Sequence, residues 1–170
     1  YNLIAFRCIG IVFLAVFLFF VYKFLRERFE VNDVLIMIMF FIGCKHYNES
    51  ATSILTDMPC ACFSMIAIYV LYKMIACENN KQYLYGIIFG ICSICAYALR
   101  TTGLVLILTL LCIHVVILIG KIIPFVNEQV NKTGLKKVII GAHIIPYVIF
   151  FSGKLVLETA LPVAGNDYLK

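Results

Sequence analysis

Long apolar runs, broken by short polar and basic stretches, set the pattern of this chain. The runs fall at about 3–22, 34–43, 58–76, 83–99, 103–120 and 138–152. A helix rises 1.5 Å per residue, so roughly 20 apolar residues cover a hydrocarbon core about 30 Å thick, and the runs predict transmembrane helices. The second run is short. About a dozen residues cross a full core only with local thinning of the bilayer or with loop residues that extend the helix. Between the runs lie a basic turn with Lys23, Arg26 and Arg28, a polar loop over 44–57, and a polar turn at Glu78, Asn79, Asn80 and Lys81. A break at Arg100, Thr101 and Thr102 and a longer basic loop with Lys121, Lys132, Lys136 and Lys137 follow. Residues 153–170 are mixed and polar enough to leave the membrane. The expected fold is all-α, a polytopic transmembrane helical bundle of about six spans that forms one transmembrane domain over 1–170.

Composition agrees with that pattern and excludes a soluble domain. Hydrophobic residues make up 64% of the chain and the mean hydropathy is +1.03, against roughly 45–50% apolar residues in soluble domains. The charged share, 14%, is too small to coat a water-exposed surface of this size. The chain starts at Tyr1 rather than Met, and it is read as a fragment of a larger membrane domain. Its first run contains Arg7 and lacks the basic start and small-residue cleavage site of a signal peptide, so it is expected to stay in the mature protein.

A net charge of +5 raises the question of nucleic acid, but the basic residues sit mainly in the breaks between apolar runs, where membrane topology accounts for them. Lys23, Arg26, Arg28, Lys73, Lys81, Lys121, Lys132, Lys136 and Lys137 fall on one side. Arg7, Lys45, Arg100, Lys154 and Lys170 fall on the other. The richer side is cytoplasmic by the positive-inside rule, which puts the loop 44–57 and the break at Arg100 on the outer face. The expected location is the plasma membrane, in a bacterium the cytoplasmic membrane. The eight cysteines do not read as a disulfide framework. Cys92 and Cys95 form a CxxC whose members share one helical face inside the bilayer, where small packing residues explain them better than zinc or redox chemistry. Gly86 and Gly90 form a GxxxG, the spacing that lets a neighbouring helix approach closely. No internal repeat is visible, which counts against an inverted-repeat transporter.

Few residues remain that carry chemistry. Asp57, in Thr56-Asp57-Met58-Pro59, caps the free backbone N–H groups of the third span, and Pro59 suits a first turn because it has no N–H to satisfy. A cap also fixes where its carboxylate points, so Asp57, with Glu49 in the preceding loop, is a candidate to face an aqueous cavity at the headgroup level. A divalent metal ion held by His46, Glu49 and Asp57 is the one cofactor these residues allow, and no other is called for. Arg100 reads either as an interfacial arginine that snorkels to headgroups and ends the fourth helix or as a phosphate clamp, because a guanidinium offers planar, paired donors matched to phosphate oxygens. Backbone N–H groups near Gly103 would add to such an anion site. His114, deep in the fifth span, reads as a neutral, hydrogen-bonded packing histidine. Asn48-Glu49-Ser50 and Asn131-Lys132-Thr133 match the glycosylation sequon; the first is on the outer side and the second is on the cytoplasmic side, where it goes unused.

Thr56-Asp57-Met58-Pro59 opening one span and Leu99-Arg100-Thr101-Thr102-Gly103 at the next outer turn resemble the GT-C superfamily. These are membrane glycosyltransferases with polyprenyl-phosphate-sugar donors, which include the dolichyl-phosphate-mannose protein mannosyltransferases and the aminoarabinose lipid A transferases. The resemblance is most specific from about Tyr47 to Val116. It implies an inverting transfer at the outer face, in which an acceptor hydroxyl attacks the anomeric carbon as the lipid phosphate leaves. By the same resemblance the general base stands in a large loop after the first span of the family, expected before Tyr1, so that residues 1–170 alone are expected to be inactive. Asp57 is then a supporting carboxylate and Arg100 a ligand of the donor phosphate; Glu49 is added from the residues themselves. The implied partners are a polyprenyl-phosphate-linked sugar donor, membrane lipids, and an acceptor lipid, glycan or protein, with no nucleic acid. Two other readings stay open at this point: a transporter or flippase of a lipid-linked substrate, and a non-catalytic membrane subunit.

Overall fold

A computed structural model describes residues 3–45, 57–77, 80–122 and 140–160. Helices are the only regular structure among these residues. They are α1 (Leu3–Arg26), α2 (Val31–Gly43), α3 (Asp57–Ala76), α4 (Lys81–Leu99), α5 (Leu104–Ile122) and α6 (Ile140–Ala160), with a 3-10 turn at Thr101–Gly103 between α4 and α5. All but α2 are long and apolar enough to cross a membrane. With 13 residues, α2 is only about 20 Å long.

Three helices outrun the spans read from the sequence by three residues or more. The first continues to Arg26, with Lys23 and Arg26 in its last turn, where cations meet the negative end of the helix dipole. The second begins at Val31, three residues earlier than expected, and has Asp33 in its first turn, the favourable place for an acid. The largest difference is in α6, which runs on to Ala160 through residues expected to leave the membrane. There Lys154 and Glu158 pair across one turn at 3.6 Å, and the Thr159 hydroxyl donates to the Leu155 carbonyl at 3.0 Å. Polar residues that partner one another along a helix do not end it.

The helices pack as a row. α1 lies along α3, α3 along α4, and α4 along α6. Aromatic contacts give the direction of the first pair: Phe13 meets Phe63, Phe20 meets Tyr69 and Phe24 meets Tyr72. Residue numbers rise together, so α1 and α3 run parallel while α2 turns back along α1, bringing Phe41 against Phe17. Two apolar clusters fill the row. One joins Val70, Leu71 and Met74 of α3 to Phe89 and Ala96 of α4, Leu106 and Leu110 of α5, and Phe150 of α6. The other gathers Phe17, Val21, Met58 and Cys62. Outward-facing Met39, Phe40, Leu118, Val148 and Leu155 are well exposed, as lipid-facing side chains are in a membrane bundle.

α4 and α6 approach each other closely. A Cβ built on Gly86 would collide with the carbonyl oxygen of Ala142, and one on Gly90 would lie 3.0 Å from the Ile149 Cβ and 3.2 Å from the Pro146 Cα. Pro146 stands inside α6 and, having no N–H, leaves the carbonyl four residues back without its helical partner. That carbonyl belongs to Ala142, and it lies over Gly86. Only a glycine leaves room for it there. The GxxxG of α4 is therefore a packing groove, and its occupant is the proline-containing turn of α6.

The glycines make this packing testable. Helix propensity alone favours Ala over Gly by about 1 kcal/mol, so Gly43→Ala, where an added Cβ meets nothing within 4 Å, is expected to hold or raise thermal stability in detergent. Gly86→Ala is expected to lower it, by roughly 1–3 kcal/mol, the range for an overpacked contact. A Gly86→Ala protein as stable as wild type would show that α4 and α6 do not meet as described.

Candidate functional site

Asp57 is the first residue of α3, and Pro59 occupies its first turn, where a missing N–H costs no hydrogen bond. The negative charge sits at the positive end of the helix dipole. Arg100 ends α4. Its backbone turns extended at φ −152° and ψ 136°, and its N–H donates to the Ala96 carbonyl at 2.9 Å. The 3-10 turn then carries the chain into α5. Gly103 is buried in it, and a Cβ there would collide with the backbone N of Tyr97. Glycine at this position is what lets the turn lie flat on the end of α4.

The two side chains meet. An Arg100 Nη1 lies 3.0 Å from the Asp57 Oδ1, so α3 and α4, neighbours throughout their length, are also joined at this end. Beneath the pair, the Cys60 thiol, one turn into α3, approaches the Ala96 carbonyl at 3.7 Å. That is the carbonyl that accepts the Arg100 N–H. Asp57 and Cys60 on one helix thus face Arg100 and Ala96 on the other. The ion pair is open to its surroundings, with side-chain exposures of 53% for Arg100 and 31% for Asp57, and it uses one of the guanidinium's donors. The remaining guanidinium edge keeps the planar geometry that suits a phosphate.

The backbone contributes less than the sequence promises. The Gly103 N–H donates to the Arg100 carbonyl at 2.9 Å, and the Leu104 N–H is taken by Thr101 and Thr102 carbonyls. Neither amide is free for an anion, because a 3-10 turn consumes its own donors. Glu49 and His46 lie outside the described residues, as do both sequons. Among the described residues no group of three His, Cys, Asp or Glu is placed to hold a metal ion. The eight cysteines are free thiols.

The opposite end of the bundle is basic and aromatic. Lys73 of α3 pairs with Glu27 just beyond α1. Arg28 stacks on Phe24 and Tyr72 at 5.3 and 5.2 Å, and Lys73 lies over Tyr69 and Tyr72. Sixteen positions separate Asp57 from Lys73, about 24 Å along the helix, so the acid–guanidinium pair and this cluster stand at the two ends of the same helices. A third polar group lies inside the bundle. The His114 Nδ1 is 2.9 Å from the Tyr147 hydroxyl and its Nε2 is 3.0 Å from the His143 Nδ1. Sequence reasoning reached His114 and missed both partners. His143 and Tyr147 are four residues apart and so share a face of α6, a signal that becomes legible only once α6 is known to pass α5.

These features define a polytopic helical membrane protein with an acid–guanidinium pair at one end of its bundle. The pattern of the dolichyl-phosphate-mannose-protein mannosyltransferase family matches residues 2–151, and the chain belongs to that family of GT-C-type membrane glycosyltransferases. The match reaches well beyond the segment from Tyr47 to Val116 in which the motifs lie. No curated protein and no solved structure matches the chain.

An exposed ion pair contributes little to stability, up to about 1 kcal/mol. A double-mutant cycle of Asp57→Asn and Arg100→Gln, read by thermal unfolding, is expected to give a coupling below about 1 kcal/mol that shrinks further in high salt. A coupling above about 2 kcal/mol, outside the range for exposed pairs, would mean that the pair is a buried structural element and not an accessible site.

Proposed function

We propose that this chain is part of a membrane glycosyltransferase that moves a sugar from a polyprenyl-phosphate donor to an acceptor at the outer membrane face, with Arg100 on the donor phosphate and Asp57 as its supporting carboxylate. The observation that carries the reading is the contact between Asp57 and Arg100 at 3.0 Å, at one exposed end of two adjacent helices, in a member of the mannosyltransferase family. The excess of Lys and Arg in the breaks at the other end supports the outer face for this one.

In the proposed reaction an acceptor hydroxyl attacks the anomeric carbon, the bond from that carbon to the phosphate oxygen breaks, and a carboxylate base takes the hydroxyl proton. Negative charge builds on the departing lipid phosphate. A guanidinium already fixed in place stabilises that charge without reorganising at the moment of reaction. Asp57 holds one guanidinium nitrogen and leaves the rest to the phosphate, which makes it a positioning residue for Arg100. Glu49, eight positions before Asp57 in the sequence, is the second candidate carboxylate of this reading. The transporter reading needs broken half-helices in two related halves. Among the described residues the break at Arg100 is a turn between two whole helices.

Removing Arg100 as Arg100→Ala is expected to lower sugar transfer by the whole protein in membranes by roughly 100-fold or more, the scale for a preorganised charge-stabilising donor. Arg100→Lys is expected to recover part of the loss, because it restores charge without the planar fork. Asp57→Asn is expected to reduce transfer at unchanged membrane abundance. Transfer at the wild-type rate in both Arg100→Ala and Asp57→Asn would remove this pair from the site.

A further inference from the structure

The polar group within the bundle takes no part in the proposed transfer. His114 stands in the second half of α5, where Cys112, Val115, Val116, Leu118 and Ile119 are exposed. Among its described side chains the buried ones, Leu106, Ile107 and Leu110, are all in its first half. His114 itself is tied at both ring nitrogens, to Tyr147 at 2.9 Å and to His143 at 3.0 Å. The two imidazoles meet edge to face, with centroids 5.1 Å apart. His143 is 2% exposed, and its Nε2 has no hydrogen-bond partner. This chain of three side chains is a polar contact between α5 and α6, which pack lightly elsewhere among the described residues.

Counting protons fixes what the chain tolerates. Each of its two contacts needs one hydrogen between its heavy atoms. With both rings neutral there are two solutions. In one, Tyr147 donates to His114 Nδ1, His114 Nε2–H donates to His143 Nδ1, and the spare hydrogen sits on His143 Nε2. In the other, every donor is reversed. One added proton is also accommodated, since a doubly protonated His114 donates to Tyr147 from Nδ1 and to His143 from Nε2. A second added proton is not. It sets the His114 Nε2–H against the His143 Nδ1–H across the 3.0 Å contact and places two like charges side by side in a buried site.

We propose that His114, His143 and Tyr147 form a proton-counting clasp that holds the second half of α5 against α6 while the two rings share at most one extra proton, and that releases α5 when both are charged. The nearest other ionisable groups on the neighbouring elements are Cys112, two residues from His114 on α5, and Tyr83 on α4, whose ring lies against Gly141, two residues from His143. The Lys154–Glu158 pair lies about three turns farther along α6, and Lys73 on α3 is engaged by Glu27.

Hydrogen exchange on the intact protein in nanodiscs tests the clasp, with rates corrected for the intrinsic pH dependence of exchange and α4 peptides as the internal reference. Wild-type protein is expected to lose protection over residues 112–119 by at least about tenfold between pH 7.5 and pH 4, the scale of releasing a local structural element, while α4 holds. His114→Phe is expected to show the released state at both pH values. In His143→Asn an uncharged amide replaces the ring nitrogen, and acid release is expected to disappear. Unchanged protection in wild type down to pH 4, unchanged protection in His114→Phe at pH 7.5, or acid release in His143→Asn as large as in wild type would each overturn the proposal.

Discussion

The close approach of α4 and α6 at Gly86 and Gly90 is the contact on which the placement of the other polar groups depends. A proline in a helix normally leaves a backbone acceptor bare, and in hydrocarbon there is no water to cover it. Here the Ala142 carbonyl freed by Pro146 is laid over Gly86, so the same glycine that allows tight packing also shields the exposed acceptor. Once α6 is seated in that groove, its His143 and Tyr147 are carried to the side that α5 passes. α4 in turn is fixed between α3 and α6. That brings the end of α4, with Arg100, to the start of α3, with Asp57. Both polar constellations thus lean on α4, the histidine chain through its contact with α6 and the Asp57–Arg100 pair through its contact with α3.

The two constellations obey different electrostatics. Asp57 and Arg100 are a third to a half exposed, so their attraction is screened and their charges are affordable. His114 and His143 are part-buried and buried, where a charge without a partner is costly and a hydrogen bond is correspondingly valuable. They are tied to each other and to Tyr147 by hydrogen bonds. A group that is weakly held and exposed suits exchange with a ligand; one that is buried and mutually saturated suits holding helices in register.

Much of this arrangement could be read from the chain. Runs of apolar residues located five long helices and the short one, because the bilayer imposes its thickness directly on composition. The end of α6 escaped that logic, since Lys154 and Glu158 look like an exit from the membrane until their spacing of four is seen to pair them. Counting cations on each side put Asp57 and Arg100 on one face, and the 3.0 Å contact between them goes further than topology can, because topology names a face and not a neighbour. The anion-binding amides expected near Gly103 failed for a local reason, the self-consuming hydrogen bonds of a 3-10 turn. The partners of His114 were illegible because they belong to a helix that reaches it only through the tertiary packing of α4.

That division bears on how the Asp57–Arg100 end is built to act. A guanidinium alone at a membrane surface would sample many directions, and its charge would be answered by whatever headgroup came near. One bond from Arg100 to a carboxylate fixed at the head of α3 restricts it without saturating it. The backbone beneath is fixed by the Ala96 carbonyl, which receives the Arg100 N–H and is approached by the Cys60 thiol. Orientation is thus supplied by two adjacent helices, and part of the guanidinium is left open. An exposed pair of this kind contributes little to folding, so substitutions there are expected to spare the bundle. Those in the Gly86–Pro146 groove act the other way, on the bundle first and on the site through it.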